Sequence, residues 1–315
     1  MDVKQFAPVI IPTLNRYEHF KRCLESLEKC TSAELTDVYV ALDYPPTERY
    51  IKGWMKIDNY LAEKEKSHGF NKLIVVRREK NYGVGHYNSN GNLLIKEIIC
   101  KYPFYIETED DNEFSPCFLD FMNKALEKYK DNPHVFSISG YNQESFYSDD
   151  RDVVFIYDNS AWGQGFWSNR EMPKEGYLQI VLSKPKNIIK IWKTYPILLK
   201  LSLSLVRKKK FYGDALYTIK CICEELYQIR PSLSLVRNLG NDGSGLHSGV
   251  SEKFSKQRIS DKLFFEIPDI PVARTCELDK MVYENMMPSS LLKRFWLHTK
   301  ILLDIIVFYF TKLIY

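Results

Sequence analysis

The chain of 315 residues carries 44 Lys and Arg against 40 Asp and Glu, so its net charge of +4 gives no reason to expect a nucleic-acid partner. Hydrophobic residues make up 45% of it, which excludes a disordered chain and suits one large α/β unit with additions. Seven cysteines without a CxxC pair fit a reducing compartment, and the opening residues lack the basic and long apolar segments of a secretory signal, so a cytoplasmic protein is expected.

Ala7-Pro8-Val9-Ile10-Ile11 reads as a short buried strand ending in the loop Pro12-Thr13-Leu14-Asn15-Arg16. A helix follows, with Phe20, Cys23, Leu24 and Leu27 on one face. Residues 38–42 form a second strand that ends on Asp43, and Tyr50, Ile51, Trp54, Met55 and Leu61 mark the next helix. Residues 73–76 are a third strand. The loop Asn81-Tyr82-Gly83-Val84-Gly85 then leads into a helix carrying Leu93, Leu94, Ile98 and Ile99. With the apolar run 104–106 as a fourth strand, the alternation predicts a parallel, doubly wound sheet. Gly83 and Gly85 have no third glycine at dinucleotide spacing and follow the third strand rather than the first, and no Walker lysine motif occurs.

The fourth strand runs into Glu109-Asp110-Asp111-Asn112-Glu113. Consecutive carboxylates at the end of a buried strand repel one another unless a cation is shared. Ser115 fits an N-cap and Pro116 a first helical position, and Phe118, Phe121, Met122, Ala125, Leu126 and Tyr129 recur at helical spacing. The acids therefore stand at a strand-to-helix switch, where open α/β sheets place ligands.

Beyond them, residues 135–139 and 153–157 read as strands. Ala161-Trp162-Gly163-Gln164-Gly165-Phe166-Trp167 reads as a glycine loop, able to approach a ligand closely and to offer aromatic surfaces. Ser168 and Glu171 have capping-box spacing, which predicts a helix start. Residues 187–210 suggest an apolar helix closing on a basic cluster, followed by Gly213-Asp214. Ile229-Arg230-Pro231 precedes an irregular loop over 238–249 that contains His247. At the C-terminus, the uninterrupted run 305–310 is far short of the roughly 20 residues that span a bilayer. Lys293, Lys300, Asp304 and Thr311 share a polar stripe, so residues 289–315 predict an amphipathic helix lying in a membrane surface.

Taken in order, these pieces resemble the nucleotide-sugar-dependent glycosyltransferases of the GT-A fold, in particular the N-acetylglucosaminyltransferase I group and bacterial family-two-like transferases. The likeness carries residues 8–249: Pro12 to Arg16 after strand one, Asp43 after strand two, the Glu109-Asp110-Asp111 signature, the glycine loop, Gly213-Asp214, and Ile229-Arg230-Pro231 with the His247 loop. It implies a Rossmann-like α/β fold with a mostly parallel sheet, to which the C-terminal amphipathic helix is an addition outside the likeness. Residues 1–110 would bind the nucleotide sugar and 111–270 the metal and acceptor and the catalytic base, while 271–315, outside the likeness, would associate with a membrane on its own amphipathic pattern. Pro12, Thr13, Arg16, Asp43, Asp110, Gly163 and Gly165 would contact the nucleotide sugar. Asp111 would ligate Mn²⁺ or Mg²⁺, with His247 on the metal or on a phosphate, and Asp214 would be the catalytic base. Gly213 stands where these families often carry an acid, which keeps Glu224 and Glu225 as rivals.

The chemistry asks for such groups in its own right. A divalent cation offsets charge on a departing diphosphate, hard carboxylates suit Mg²⁺ or Mn²⁺, and one carboxylate base supports inversion by single displacement. The expected reaction is sugar transfer from a UDP-sugar to a glycan or lipid-linked saccharide, peripherally at the inner face of a bacterial membrane. Two other readings stay open: a sugar-phosphate nucleotidyltransferase, although Pro12 to Arg16 lack that class's glycines, and a non-catalytic glycan- or nucleotide-binding protein.

Overall fold

The structure is a computed structural model that describes residues 5–147, 151–208, 210, 212–245, 250–269, 280, 282–284 and 286–314, with side chains described as far as residue 310. Its residues fall into two compact units. The first comprises Met1–Val154, Ser160–Arg170 and Ile229–Asp269. The second comprises Phe155–Asn159, Glu171–Gln228 and Ile270–Tyr315.

The first unit is built on a sheet. Strands β1 (Val9–Thr13), β2 (Asp37–Leu42) and β3 (Lys72–Arg77) are parallel, with Ile10 opposite Tyr39 and Tyr39 opposite Ile74. β2 is buried along its whole length and β1 nearly so, which explains why their sequences are continuous apolar runs rather than alternating ones. β4 (Phe104–Glu107) lies parallel on the other side of β1. Next comes β8 (Gln164–Trp167), antiparallel to both β4 and β6 (Val135–Ser139). With β7 (Val153–Ile156) and β9 (Tyr227–Pro231), the sheet order is β3-β2-β1-β4-β8-β6-β9-β7. A separate antiparallel pair joins β5 (Asn112–Phe114) to β10 (Val236–Asn238). The fold is thus α/β with a mixed, largely parallel sheet, as the alternation predicts.

Helix α1 (Tyr17–Glu28) buries Phe20, Cys23, Leu24 and Leu27, the four residues of its predicted face. α2 (Glu48–Lys64) buries Ile57 and Leu61, and α3 (Asn90–Ile98) buries Leu94 and Ile98. α4 (Phe118–Lys128) packs its Phe118, Phe121, Met122, Ala125 and Leu126 face on β6 and β8.

Three local expectations are corrected. Ser115 and Pro116 do not open α4, whose N-cap is Cys117: Ser115 is instead held by donating its N–H to Leu235 O (2.8 Å) and its hydroxyl to Ser260 O. The glycine loop at 161–167 is largely strand β8. No helix starts at Ser168, whose hydroxyl donates to Tyr102 O (2.5 Å) while the Arg170 guanidinium stacks 3.9 Å over Trp167.

The second unit is mostly helical in its described parts: α5 (Tyr177–Leu182), α6 (Pro185–Thr194), α7 (Pro196–Lys208), α8 (Gly213–Glu224) and α9 (Leu291–Ile314). The single helix expected over 187–210 is two, broken before Pro196, whose ring has no N–H to continue α6. α9 packs on α7, and Trp192 Nε1 donates to His298 Nδ1 at 2.8 Å. Ile301 is buried, whereas Leu292, Phe295, Leu303 and Phe310 stay more than half exposed or close to it. Among the described residues no helix is long and apolar enough to cross a membrane.

Candidate functional site

β1 and β4 are parallel neighbours, so Thr13 and the residues after Glu107 emerge at the same edge of the sheet. From Thr13 the chain turns into α1 with Arg16 as N-cap; its backbone is outside the helix (φ −87°, ψ 70°) while its carbonyl already accepts the Phe20 N–H at 2.9 Å. From β4 the chain turns through 108–111 into β5. The Asn112 side-chain amide donates to Thr108 Oγ1 (2.8 Å), which fixes that turn.

Asp110 and Asp111, both nearly fully buried, thereby face a shared set of donors. The Thr13 hydroxyl donates to Asp110 Oδ2 at 2.8 Å. The Arg16 guanidinium spans the pair, with Nη2 on Asp110 Oδ1 and Nη1 2.7 Å from Asp111 Oδ2. Asn238, placed opposite Asn112 by the β5–β10 pairing, donates to Asp111 Oδ1 at 2.6 Å. The Leu239 N–H donates to the Asp111 carbonyl (2.8 Å), so the chain after β10 is tied to the acid turn by backbone as well. Gly240 follows directly: a Cβ there would lie 1.9 Å from Asp111 Oδ2 and 3.0 Å from Arg16 Nη1. His19 Nε2 closes this edge, 3.2 Å from both Leu239 O and Asp242 Oδ2.

Burial opposes the charge on Arg16, but Asp110 and Asp111 outweigh it and hold the guanidinium above its ordinary pKa. Burial presses the Asp110 carboxyl upward, with Asp111 adding to it, and Arg16 and Thr13 only partly pull it back. The same two acids, after burial itself, push the Cys23 thiol up, so Cys23 is an inert neighbour. The two adjacent carboxylates are hard oxygen donors of the kind Mg²⁺ or Mn²⁺ takes, Arg16 supplies the positive charge between them, and the Gly240 backbone packs directly against Asp111 Oδ2. Among the described residues no three His, Cys, Asp or Glu side chains form a cage, so Asp111 would need ligands from elsewhere.

Asp43 sits at the end of the neighbouring strand and is buried. Its carboxylate accepts the N–H groups of Tyr82 (2.9 Å) and Gly83 (2.8 Å) and the Asn81 side-chain amide (3.1 Å), so it shapes the β3–α3 loop. Pro12 supports the start of α3, where Gly91 lies against its ring.

Gly163 and Gly165 are packed against α4. A Cβ on Gly165 would meet Met122 Cε and Leu126 Cδ1 at 3.0 Å, and one on Gly163, at φ +66°, would meet Phe118 Cε2 at 2.9 Å. These glycines let α4 close on β8. Trp167 is likewise core, its Nε1 donating to Leu126 O at 3.0 Å. Asp214 belongs to the second unit, exposed in the first turn of α8, where the helix dipole favours its carboxylate. Glu224 is engaged by Lys220 (2.6 Å) and Tyr177 (3.0 Å), and Glu225 by Lys190 (2.8 Å). His247 lies outside the described residues.

No protein-family model matches the chain, and no curated protein does either. Among solved structures it is similar to S. aureus TarS residues 1–349 in complex with UDP-GlcNAc, at 15% identity over 72% of this chain and 55% of that one, with a TM-score of 0.41. It is also similar to the mannosyltransferase PcManGT from Pyrobaculum calidifontis in complex with GDP-Man and Mn²⁺, at 11% identity over 70% of each chain, with a TM-score of 0.38. Against the longer TarS chain the match covers 52% of this chain and 28% of that one, at 18% identity and a TM-score of 0.36. The chain thus spans from about a quarter to about half of the TarS chains it matches.

The sequence reading missed Asn238, Gly240 and His19. Asn and Gly crowd residues 238–243, but without the three-residue pairing of β10 to β5 they read only as a loop.

Proposed function

We propose that the protein is a metal-dependent, inverting glycosyltransferase that moves a sugar from a nucleoside-diphosphate sugar, with uridine as the nucleoside, to a hydroxyl of a glycan or lipid-linked saccharide. The observation that supports this most is the buried Asp110–Asp111 pair bridged by Arg16 at the carboxyl ends of parallel strands β1 and β4, where open α/β sheets bind ligands. Neutral donors alone would leave two buried, adjacent carboxylates repelling each other, so the site is built for cations.

In this reading Thr13, Arg16 and Asp110 orient the nucleotide, with Asp43 acting through the loop it holds. Asp111, together with His247, would hold the divalent cation, which when bound offsets negative charge on the departing nucleoside diphosphate. Asp214 takes the acceptor hydroxyl's proton as its oxygen bonds the anomeric carbon and the bond from that carbon to the phosphate oxygen breaks. One displacement inverts the anomeric centre. Residues 1–110 then supply most nucleotide contacts and 111–270 the metal and base, while α9 brings the enzyme to a bacterial membrane surface from the cytoplasmic side.

Asp214→Asn tests the assignment. Donor binding is expected to persist while transfer falls about 100-fold or more, as for loss of a general base. Full transfer by Asp214→Asn would remove Asp214 from the mechanism. Pyrophosphate release from a sugar phosphate and a nucleoside triphosphate would instead point to nucleotidyl transfer.

A further inference from the structure

Arg16 touches both acids at once, although Thr13 already serves Asp110 and Asn238 already serves Asp111. Its second contact falls on Asp111 Oδ2, the oxygen against which the Gly240 backbone packs. We infer that Arg16 is a built-in counter-ion that competes with a divalent cation for Asp111, so that cation and nucleoside diphosphate bind as a coupled pair. This rests on the metal-dependent reading above.

Charge counting carries the argument. Asp110, Asp111 and Arg16 together hold a net charge of one negative in a mostly buried place. To take a divalent cation, Asp111 has to release Arg16 Nη1, and the set then becomes one positive. A diphosphate reverses that excess and gives the released guanidinium nitrogen an acceptor, for which Arg geometry is well suited. The Arg16 Nη2 contact with Asp110 can persist as the pivot. Each ligand therefore helps the other bind, by the same factor in both directions.

The test is Mn²⁺ binding to the full chain, followed by the electron paramagnetic resonance of the free aquo ion with and without UDP. Wild type is expected to bind Mn²⁺ weakly alone and much more tightly with UDP. Arg16→Met should bind Mn²⁺ alone on the order of tenfold more tightly than wild type, because a nearby competing charge is gone, and should gain correspondingly less from UDP. Arg16→Gln, which keeps a donor and drops the charge, should move the same way and guards against a variant that does not fold. If folded Arg16→Met or Arg16→Gln binds Mn²⁺ no more tightly than wild type, the competition is refuted, while Mn²⁺-dependent UDP binding by wild type would leave the broader reading standing. If wild type binds no Mn²⁺ even with nucleotide, the metal-dependent reading falls, and the competition with it.

Discussion

Gly240 passes so close to the acid turn that even a methyl group would collide with the Asp111 carboxylate. Gly240→Ala must push Asp111, Arg16 or the chain after β10 aside, and overpacking of this kind costs about 1–3 kcal/mol. Thermal melting should show that loss, and Mn²⁺-dependent nucleotide binding should weaken about tenfold or more. Unchanged binding would mean that Asp111 Oδ2 is not part of the site. The sequence shows Asp110 and Asp111 through charge alone, because three consecutive acids after a buried strand need a cation. Asn238 and Gly240 are invisible at that level, since what recruits them is a backbone pairing between residues more than 120 apart.

Helix α4 and strand β8 show where local patterns mislead. Gly163 and Gly165 look like a ligand loop because glycine permits close approach, and it does, but what approaches is a helix. Gly165→Val should lower stability by about 1–3 kcal/mol through crowding against Met122 and Leu126, with nucleotide affinity per folded molecule unchanged within about twofold. Denaturant titration and binding on the same sample check both; lost affinity at full stability would return Gly165 to the donor site. Ser168 and Glu171 have the spacing of a capping box, yet Ser168 is consumed by Tyr102 and Pro103 backbone groups, a tertiary demand no local pattern reveals. The α1–α2 contact makes a pH prediction. Burial pushes the Glu28 carboxyl up, but Lys64 (2.5 Å) and the Gly69 N–H (2.7 Å) more than reverse it, and its pKa is lowered. The stabilisation is present above the ordinary carboxylate pKa of about 4.3 and is lost as pH falls through the lower folded value. Glu28→Gln should therefore lose less stability than wild type between neutral pH and about pH 3; identical pH profiles would show that the contact contributes nothing.

At the scale of the whole molecule, the βαβ alternation was readable because β1 to β4 are parallel strands with continuous apolar runs, buried in β1, β2 and most of β4 and half-buried in β3. The antiparallel insertion of β8 between β4 and β6 was not, since strand order depends on contacts far apart in the chain. The C-terminal helix keeps Leu292, Phe295, Trp296, Leu303 and Phe310 exposed while Ile301 packs inward, which supports an in-plane membrane role. Replacing Leu292, Phe295 and Phe310 by Ser should abolish co-sedimentation with vesicles containing anionic lipid and leave nucleotide binding intact; sedimentation equal to wild type would remove the membrane from the account. We propose the Asp110–Asp111 turn as a cation-dependent nucleotide-sugar site. It is tested most directly by calorimetric titration of UDP, GDP and their sugars into the full chain, with Mn²⁺ or with chelator, alongside Asp111→Ala. Binding of a nucleotide or its sugar with Mn²⁺, lost with chelator and in Asp111→Ala, is the predicted result; no Mn²⁺-dependent binding of any of them would contradict it.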